Sequence, residues 1–171
     1  MNAITKALSL GIMASALAST AYAQKSQNTL RLALNYPLPA LSTYDFPIDE
    51  ASVFSHEIYD SLVKYDELNQ KLVPALAKSW KQIDDLTMEF KMTPGVTFSD
   101  GQPVTIEDIE YTFQFMMDPT AKYRFQDTRI GWFDRFEKVD ATTFRLKSKE
   151  RMAVFLGKLT QFPSVIPKHV H

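Results

Sequence analysis

The chain has 171 residues, 45% of them hydrophobic, and its 19 basic and 20 acidic residues leave a formal net charge of −1. This balance argues against a nucleic acid or an anionic membrane as partner, because either usually requires a basic patch. Cysteine is absent, which excludes a small scaffold held by disulfides, and the length suffices for one ordinary domain with its own core.

Residues 1–23 have the form of a secretory signal peptide. Lys6 is the only charge before the mostly apolar run ALSLGIMASALA at 7–18, and the triplet AYA at 21–23 precedes Gln24. A basic start, an apolar stretch of roughly 7–15 residues and an A-x-A-like end are the three parts of such a signal. The run is too short for a membrane-spanning helix, which needs about 20 apolar residues. We therefore expect cleavage after Ala23 and a periplasmic protein.

The first predicted elements of the mature chain are a strand, an irregular segment and a helix. Leucines alternate with other residues at 30–34, which indicates a strand with one apolar face. The segment YPLPALSTYDFP at 36–47 contains three prolines, which exclude regular structure. A helix capped by Asp49 is predicted next, from three apolar residues spaced four apart: Phe54, Ile58 and Leu62.

Three antiparallel hairpins follow in the pattern. SLVKYD and KLVPAL flank a turn at 67–70, SWKQID and LTMEFKM flank Asp84-Asp85, and RFEKV and TFRLKS flank 140–142. Within LTMEFKM, apolar and polar residues alternate strictly, which predicts a strand buried on one face only. The predicted fold class is α/β in the mixed α+β sense, with antiparallel strands and helices intermingled.

Two more helices complete the set. The first ends at Asp118-Pro119 and carries an apolar stripe at helical spacing, formed by Ile106, Ile109, Phe113, Met116 and Met117. The second is a short helix in MAVFLGKLTQF, which ends before Pro163 because the residue preceding a proline disfavours helical backbone.

Four acids crowd the stretch TPGVTFSDGQPVTIEDIEYTF at 93–113, namely Asp100, Glu107, Asp108 and Glu110. They could form a general acid/base pair or a cation site, which would make the chain an exported hydrolase. They could equally serve a turn and the start of a helix. A calcium loop is excluded, because the D-x-[DN]-x-[DN]-G spacing and the distal Glu are missing.

Local chemistry favours the structural interpretation of these acids. Asp100-Gly101 is a strong turn signal, since Gly accepts a positive φ and Asp bonds its own backbone two residues on. Thr105 and Asp108 fit the capping box Ser/Thr-x-x-Asp/Glu. The other two acids lie where the helix dipole favours negative charge. We therefore assign no catalytic residue.

Other candidate sites are weaker. His169 and His171 at the C-terminus could bind a metal, but two ligands without a third make a poor site, and we expect a loose end. Trp132 has polar flanks and fits either a core or lid position or a ligand platform. No G-x-S-x-G, H-E-x-x-H or Gly-rich phosphate loop occurs. We expect neither a metal nor a cofactor.

Three stretches carry a family resemblance: LVPALAKSW, then MEFKMTPGVTFSDGQPVTIEDIEYTF, and finally VIPKHV. In order and spacing they resemble the family 5 extracellular solute-binding proteins, the receptors of peptide, dipeptide and nickel ABC importers. The resemblance runs from about Leu30 to His169. The departures are modest: Thr93 stands where a basic residue is common, Ile106 replaces the usual Ala, and no Gly follows Asp85.

The resemblance implies the N-terminal part of a two-lobed periplasmic-binding-protein fold. Residues 24–60 would begin the first lobe, residues 61–160 would form the small mixed α/β subdomain of the family, and residues 161–171 would return to the first lobe. Members are generally much longer, so the second lobe is expected to be absent from these 171 residues.

In function, the resemblance implies a substrate-binding component of an ABC importer rather than an enzyme. Its partners would be an inner-membrane ABC permease and a small ligand, an oligopeptide or dipeptide foremost, with a nickel chelate or a sugar as alternatives. The segment after the first strand would line the ligand cleft, and the candidate ligand residues are Asn35, Tyr36, Pro37, Leu38, Tyr44, Phe46 and Trp132. An exported structural or partner-binding module and an exported hydrolase remain as alternatives.

Overall fold

The computed structural model describes Tyr44, residues 57–121 and residues 126–171, all within one structural unit at 37–171. The strand predicted at 30–34 and the start of the helix predicted from Asp49 lie outside these residues. Glu57 and Ile58 have helical backbone, and Leu62, the last member of the predicted apolar set, is buried.

The first predicted hairpin is present as a two-stranded antiparallel sheet. Strands β1 (Val63–Asp66) and β2 (Lys71–Pro74) pair with Val63 opposite Pro74 and Asp66 opposite Lys71. The Asp66 carboxylate accepts hydrogen bonds from the backbone N–H of Asn69 at 3.0 Å and from its side-chain amide at 2.8 Å. These bonds close the turn, as turn aspartates do.

The other two predicted hairpins combine into one antiparallel sheet. Its strands are β3 (Ala77–Gln82), β4 (Thr87–Met92), β5 (Phe133–Lys138) and β6 (Thr143–Ser148), in the order β3-β4-β6-β5. Asp84 closes the first turn by accepting from the Leu86 N–H at 2.8 Å, and Asp140 closes the second by accepting from the Thr142 N–H at 2.7 Å.

Strand β4 corrects one sequence prediction. Met88, Phe90 and Met92 are buried as the alternation predicts, but Thr87 and Glu89 are buried as well. β4 lies at the centre of the sheet, between β3 and β6, so side chains from both neighbours cover its polar face. The strand is therefore buried on both faces except at Lys91, which its alternation alone did not reveal.

Within the described residues, three helices pack around the sheets: α1 (Ile106–Met117), α2 (Gln126–Ile130) and α3 (Phe155–Gln161). The stripe of α1 is buried at its first four predicted positions, but Met117 is 41% exposed, so its place in the stripe was predicted wrongly. α1 ends at Met117, and Asp118 caps it by donating its backbone N–H to the carbonyls of Gln114 and Phe115. α3 ends before Pro163, as predicted.

Aromatic rings join the sheet to α1. The rings of Phe90 and Phe136 each stack on Phe144, with centroids 5.4 and 5.0 Å apart. Phe113 of α1 lies 4.6 Å from Phe133 of β5. Rings at these separations contribute about 0.5–1.5 kcal/mol per pair beyond their buried area. The core therefore fixes the position of α1, and with it the polar side chains that α1 carries.

A row of alternating charges crosses the polar face of the sheet. The register places Lys81, Glu89, Arg145 and Glu137 opposite one another on the four strands. Glu89 accepts from Lys81 Nζ at 3.0 Å and from Arg145 Nη2 at 2.9 Å. These two cations, Lys81 more than Arg145, hold the pKa of Glu89 below its usual value. The row is a cross-strand ion network that leaves a buried carboxylate fully paired.

We expect Glu89→Gln to lower the thermal unfolding midpoint at pH 7, because the amide carries no negative charge and has only one acceptor oxygen for the two cations. The lowered pKa means that this contribution is present above the ordinary Glu value of 4.5 and is lost as the pH falls below it. Thermal unfolding at pH 7 and pH 3.5 should therefore show a difference between wild type and variant that shrinks at acid pH. Glu67→Gln, at an exposed turn position, is the control; an equal effect of both variants contradicts the prediction.

Candidate functional site

The structure describes two of the predicted ligand residues, Tyr44 and Trp132. Asn35, Tyr36, Pro37, Leu38 and Phe46 lie outside the described residues. Tyr44 is described and is only 2% exposed. Its hydroxyl donates to the carbonyl oxygen of Ser164 at 2.6 Å, and its ring meets that of Phe115 edge-on at 5.3 Å. Tyr44 therefore anchors its segment to α1 and to the residues that follow α3.

Trp132 lies between α2 and β5 and is half-buried. Its Nε1–H donates to the carbonyl oxygen of Arg129 at 2.8 Å. Its ring lies edge-on against Phe133 at 5.8 Å and Phe155 at 5.1 Å. The indole donor is thus satisfied inside the unit, and only the exposed part of the ring can meet a ligand.

The acid-rich stretch forms the predicted turn. Gly101 has a φ of +87°, and the Asp100 carboxylate accepts from the Gln102 N–H at 3.0 Å. Phe98 donates its N–H to the carbonyl of Gln102 at 2.8 Å, and Val104 donates to that of Val96 at 3.0 Å. Residues 96–104 are therefore a small hairpin that leads directly into α1, and we call them the acid hairpin.

Asp108 also takes its predicted place in a capping box. Its Oδ2 accepts from the backbone N–H of Thr105 at 2.9 Å and from the Thr105 hydroxyl at 2.7 Å. Its Oδ1 accepts a third bond, from the backbone N–H of Lys168 at 2.9 Å. No sequence signal indicated this long-range bond. It makes Asp108, which is 5% exposed, a link between the start of α1 and the C-terminal residues.

The electrostatics of the acids match structural roles. A hydrogen bond from His169 and one from the Gln102 N–H lower the pKa of Asp100. An ion pair with Lys138 lowers the pKa of Glu107. A general acid at neutral pH needs a pKa raised toward 7, and both shifts go the opposite way. For Glu110 no ion pair or hydrogen bond is found within the described part of the chain.

The two C-terminal histidines are not the loose end that we expected. His169 Nε2 lies 2.5 Å from Asp100 Oδ2, and His171 Nδ1 lies 2.9 Å from the hydroxyl of Tyr111. The His171 ring also meets Phe115 edge-on at 4.7 Å. Among the described residues, no three His, Cys, Asp or Glu side chains lie close enough together to hold a metal ion.

The described surface includes the following two grooves. One, of about 420 Å³, lies between the β1–β2 hairpin, the β3–β4 turn and α3, and includes Tyr65, Met88 and Val154 in its walls. The other, of about 540 Å³, lies between residues 58–60, the acid hairpin and the C-terminal residues, and includes Phe98, Val170 and His171. Both volumes are in the range of small-molecule sites, about 300–1,000 Å³.

In the portion of the chain that the structure describes, no helix has the length and apolar character required to cross a membrane.

Comparison with known proteins identifies the family over most of the described unit. Residues 71–170 match the model of bacterial extracellular solute-binding proteins, family 5 Middle. Oligopeptide-binding protein AppA of Bacillus subtilis is 29% identical over 140 residues, covering 77% of this chain and 24% of AppA. Heme-binding protein A of Haemophilus influenzae is 29% identical over 124 residues, covering 61% of this chain and 22% of the relative.

The fold is found in solved structures as well. The structure of B. subtilis AppA in complex with a nonapeptide superposes with a TM-score of 0.68 at 23% identity, covering 75% of this chain and 25% of AppA. At this identity the similarity establishes the fold alone. The mixed α/β unit therefore corresponds to part of a larger binding-protein fold, and the chain spans about a quarter of the length of the curated relatives it matches.

Proposed function

The chain belongs to the family 5 bacterial extracellular solute-binding proteins, and from this membership we propose that it is part of the substrate-binding component of an ABC importer. The observation that carries the proposal is the family match across residues 71–170, which takes in both sheets from β2 onward and all three helices. The proposed ligand is an oligopeptide or dipeptide, captured in the periplasm and passed to a membrane permease.

The proposed mechanism is capture between two lobes. Ligand binding closes the lobes about a hinge, and the closed form is the one presented to the permease. Specificity comes from the shape of the pocket and a few aimed polar groups. Because the chain spans about a quarter of its relatives, we place most of the groups that hold the termini of a peptide beyond these 171 residues. Residues 61–160 serve as the small subdomain in this proposal.

Within this chain, the proposed ligand wall is the segment after the first predicted strand. Asn35, Tyr36, Pro37, Leu38 and Phe46 are its contact residues. The buried position of Tyr44, with its hydroxyl bonded to Ser164, supports a role for that residue as the anchor of the wall.

Trp132 is proposed as a weaker contact, through the exposed part of its ring. Its donor is already bonded to the carbonyl of Arg129, so it would offer a ligand a stacking surface rather than a hydrogen bond.

A binding protein explains the acid-rich stretch better than a hydrolase does. Asp100, Glu107 and Asp108 each contribute to a turn, an ion pair or a helix cap. The pKa values of Asp100 and Glu107 are lowered, whereas a general acid needs a raised pKa. A structural or partner-binding module is the other alternative, since exposed apolar patches can mark contact sites for a partner protein.

Export is testable on the chain as it stands. Produced with a C-terminal tag in a Gram-negative host, it should appear in the osmotic-shock fraction with Gln24 as its first residue. Leu10→Arg should keep it unprocessed in the cytoplasm, because a charge interrupts the apolar run of the signal, whereas Leu10→Val should be exported normally. Cytoplasmic, unprocessed wild-type chain would contradict the proposed location.

Solute uptake tests the importer role itself. A strain that lacks the gene is expected to lose uptake of radiolabelled tri-alanine, and a plasmid copy of the gene should restore it. Nickel–histidine chelate, mannohexaose and hemin are the comparison solutes. If the strain loses uptake of one of these solutes and keeps uptake of the peptide, the peptide assignment is refuted. If uptake of all four solutes is unchanged, the importer role is refuted.

Ligand binding by the purified mature chain is expected to be weak, because one wall of a two-lobed cleft makes only part of the contacts. Calorimetric titration with tri-alanine should give a Kd weaker than about 1 mM. Micromolar binding, about −8 kcal/mol, would contradict the need for a second lobe.

A further inference from the structure

The C-terminal residues form an ordered strap across α1. Residues 163–171, here called the strap, follow α3, and residues 163–166 are buried. Backbone N–H groups of the strap are bonded at three points: Val165 to the carbonyl of Asp60 at 3.0 Å, Ile166 to the hydroxyl of Thr112 at 3.1 Å, and Lys168 to the carboxylate of Asp108 at 2.9 Å. The first part of the strap is therefore held through its backbone, by a carbonyl, a hydroxyl and a carboxylate.

The far part of the strap is fastened differently. His169 Nε2 contacts Asp100 Oδ2 of the acid hairpin at 2.5 Å, and the His169 ring lies 5.9 Å from the ring of Phe98. The two side chains are 39% and 44% exposed. Imidazole is the side chain whose charge ordinarily changes between about pH 5 and 8. The fastening therefore joins a titratable group on the strap to an acid on the hairpin.

We propose that the His169–Asp100 contact is a pH-dependent latch, which holds the strap to the acid hairpin more tightly when His169 is protonated. With a neutral imidazole, only the carboxylate of this pair is charged. With a protonated imidazole, both partners are charged, and the ion pair adds to the hydrogen bond. Asp100 stays ionised through this range because its pKa lies below the ordinary value of 3.8. Protonation of His169 thus tightens the latch.

The other acids near His169 have partners of their own, and Asp100 is the acid that His169 contacts. The neighbouring elements contribute Asp60, paired with Lys64, and Asp108, bonded to the Lys168 N–H. Tyr111 of α1 faces His171, whose imidazole has this neutral hydroxyl as partner. The strap itself adds Lys168 and His171. His171 therefore provides an internal comparison: an imidazole on the same strap whose bonded partner carries no charge.

Amide hydrogen exchange of the strap tests the latch. The protection factors of the Lys168 and Val170 amides should rise about two- to fivefold between pH 7.5 and pH 5.5, the range expected for a partly exposed ion pair. Asp100→Asn and His169→Gln should each abolish this rise. His171→Gln should preserve it, because the hydrogen-bond partner of His171 is the uncharged Tyr111 hydroxyl. Circular dichroism on each variant confirms that the unit remains folded.

Two outcomes would overturn the latch. One is an equal rise in protection in wild type and Asp100→Asn, which would place the pH response elsewhere in the unit. The other is that His171→Gln abolishes the rise while His169→Gln keeps it, which would assign the pH response to His171.

Discussion

Gly131→Ala is expected to destabilise the unit by about 3 kcal/mol, the upper part of the range for steric overpacking. A Cβ at Gly131 would lie 2.2 Å from the carbonyl oxygen of Asp127 and 3.2 Å from its carbonyl carbon. Both atoms belong to the backbone of α2, so no side-chain rotation relieves the overlap. The Gly131 N–H also donates to that same oxygen at 2.8 Å. To make room for the Cβ, residue 131 must move away from Asp127, which weakens this hydrogen bond at the end of α2.

The strain would spread to the core and to a candidate ligand residue. The Gly131 carbonyl accepts from Lys149 Nζ at 2.8 Å, and the next carbonyl, of Trp132, accepts from the Lys149 N–H at 2.9 Å. Phe133 follows at once and lies 4.6 Å from Phe113. A displaced turn therefore disturbs the attachment of β5 to α1 as well as the position of the Trp132 ring.

Gly157→Ala is the matched control, since it makes the same chemical change inside α3. Among the described residues, a Cβ there would meet the Val154 Cβ at 3.9 Å, which is an ordinary contact. Alanine is favoured over glycine in a helix interior by about 0.5–1 kcal/mol, so this variant should be neutral or slightly stabilising. Urea unfolding followed by circular dichroism measures both. Equal effects of the two substitutions would contradict the steric argument.

The hairpins and the start of α1 could be predicted because their determinants are local. Asp66, Asp84, Asp100 and Asp140 each accept from a backbone N–H two or three residues on, and such bonds are readable from the sequence wherever the turn chemistry is clear. The capping box at Thr105 and Asp108 is local in the same sense. Predictions of this kind need no knowledge of the rest of the fold.

The burial of Glu89 could be predicted only in part from the sequence. A turn centred on Asp85 places Lys81 opposite Glu89, so one ion pair could have been predicted from the hairpin alone. Arg145 comes from a strand 56 positions further on, and its arrival depends on the order β3-β4-β6-β5. Strand order is set by packing of the whole sheet, which periodicity does not encode.

The contacts of the strap lay beyond sequence reasoning for the same reason. Lys168 meets Asp108 across 60 positions and His169 meets Asp100 across 69. Both acids already had a complete local explanation, and a carboxylate has more acceptor sites than one turn or one cap uses. The sequence shows that an aspartate can accept further hydrogen bonds, but it does not show which donor will supply them. Of the candidate ligand residues, Tyr44 is placed by the structure as an anchor, a role that its loop-like sequence context did not suggest.

Asp108→Ala is expected to lower the free energy of unfolding by about 2–4 kcal/mol, from a lost helix cap and from part-buried donors left unpaired. Alanine removes the acceptor of the Thr105 N–H, of the Thr105 hydroxyl and of the Lys168 N–H together. Asp108→Asn keeps the shape but turns one acceptor oxygen into a donor that faces other donors, so we expect an intermediate loss. Glu110→Ala, on the same helix, should change stability by no more than about 0.5 kcal/mol.

Hydrogen exchange separates the two tasks of Asp108. In Asp108→Ala, the Lys168 amide should lose more protection than global unfolding explains, because that amide loses its own acceptor. Thr105→Ala removes the threonine hydroxyl from the cap but leaves the Asp108–Lys168 bond, so protection at Lys168 should fall only with the global stability. If both variants affected Lys168 equally, or if Asp108→Ala matched Glu110→Ala in urea unfolding, the carboxylate would not join the helix start to the strap.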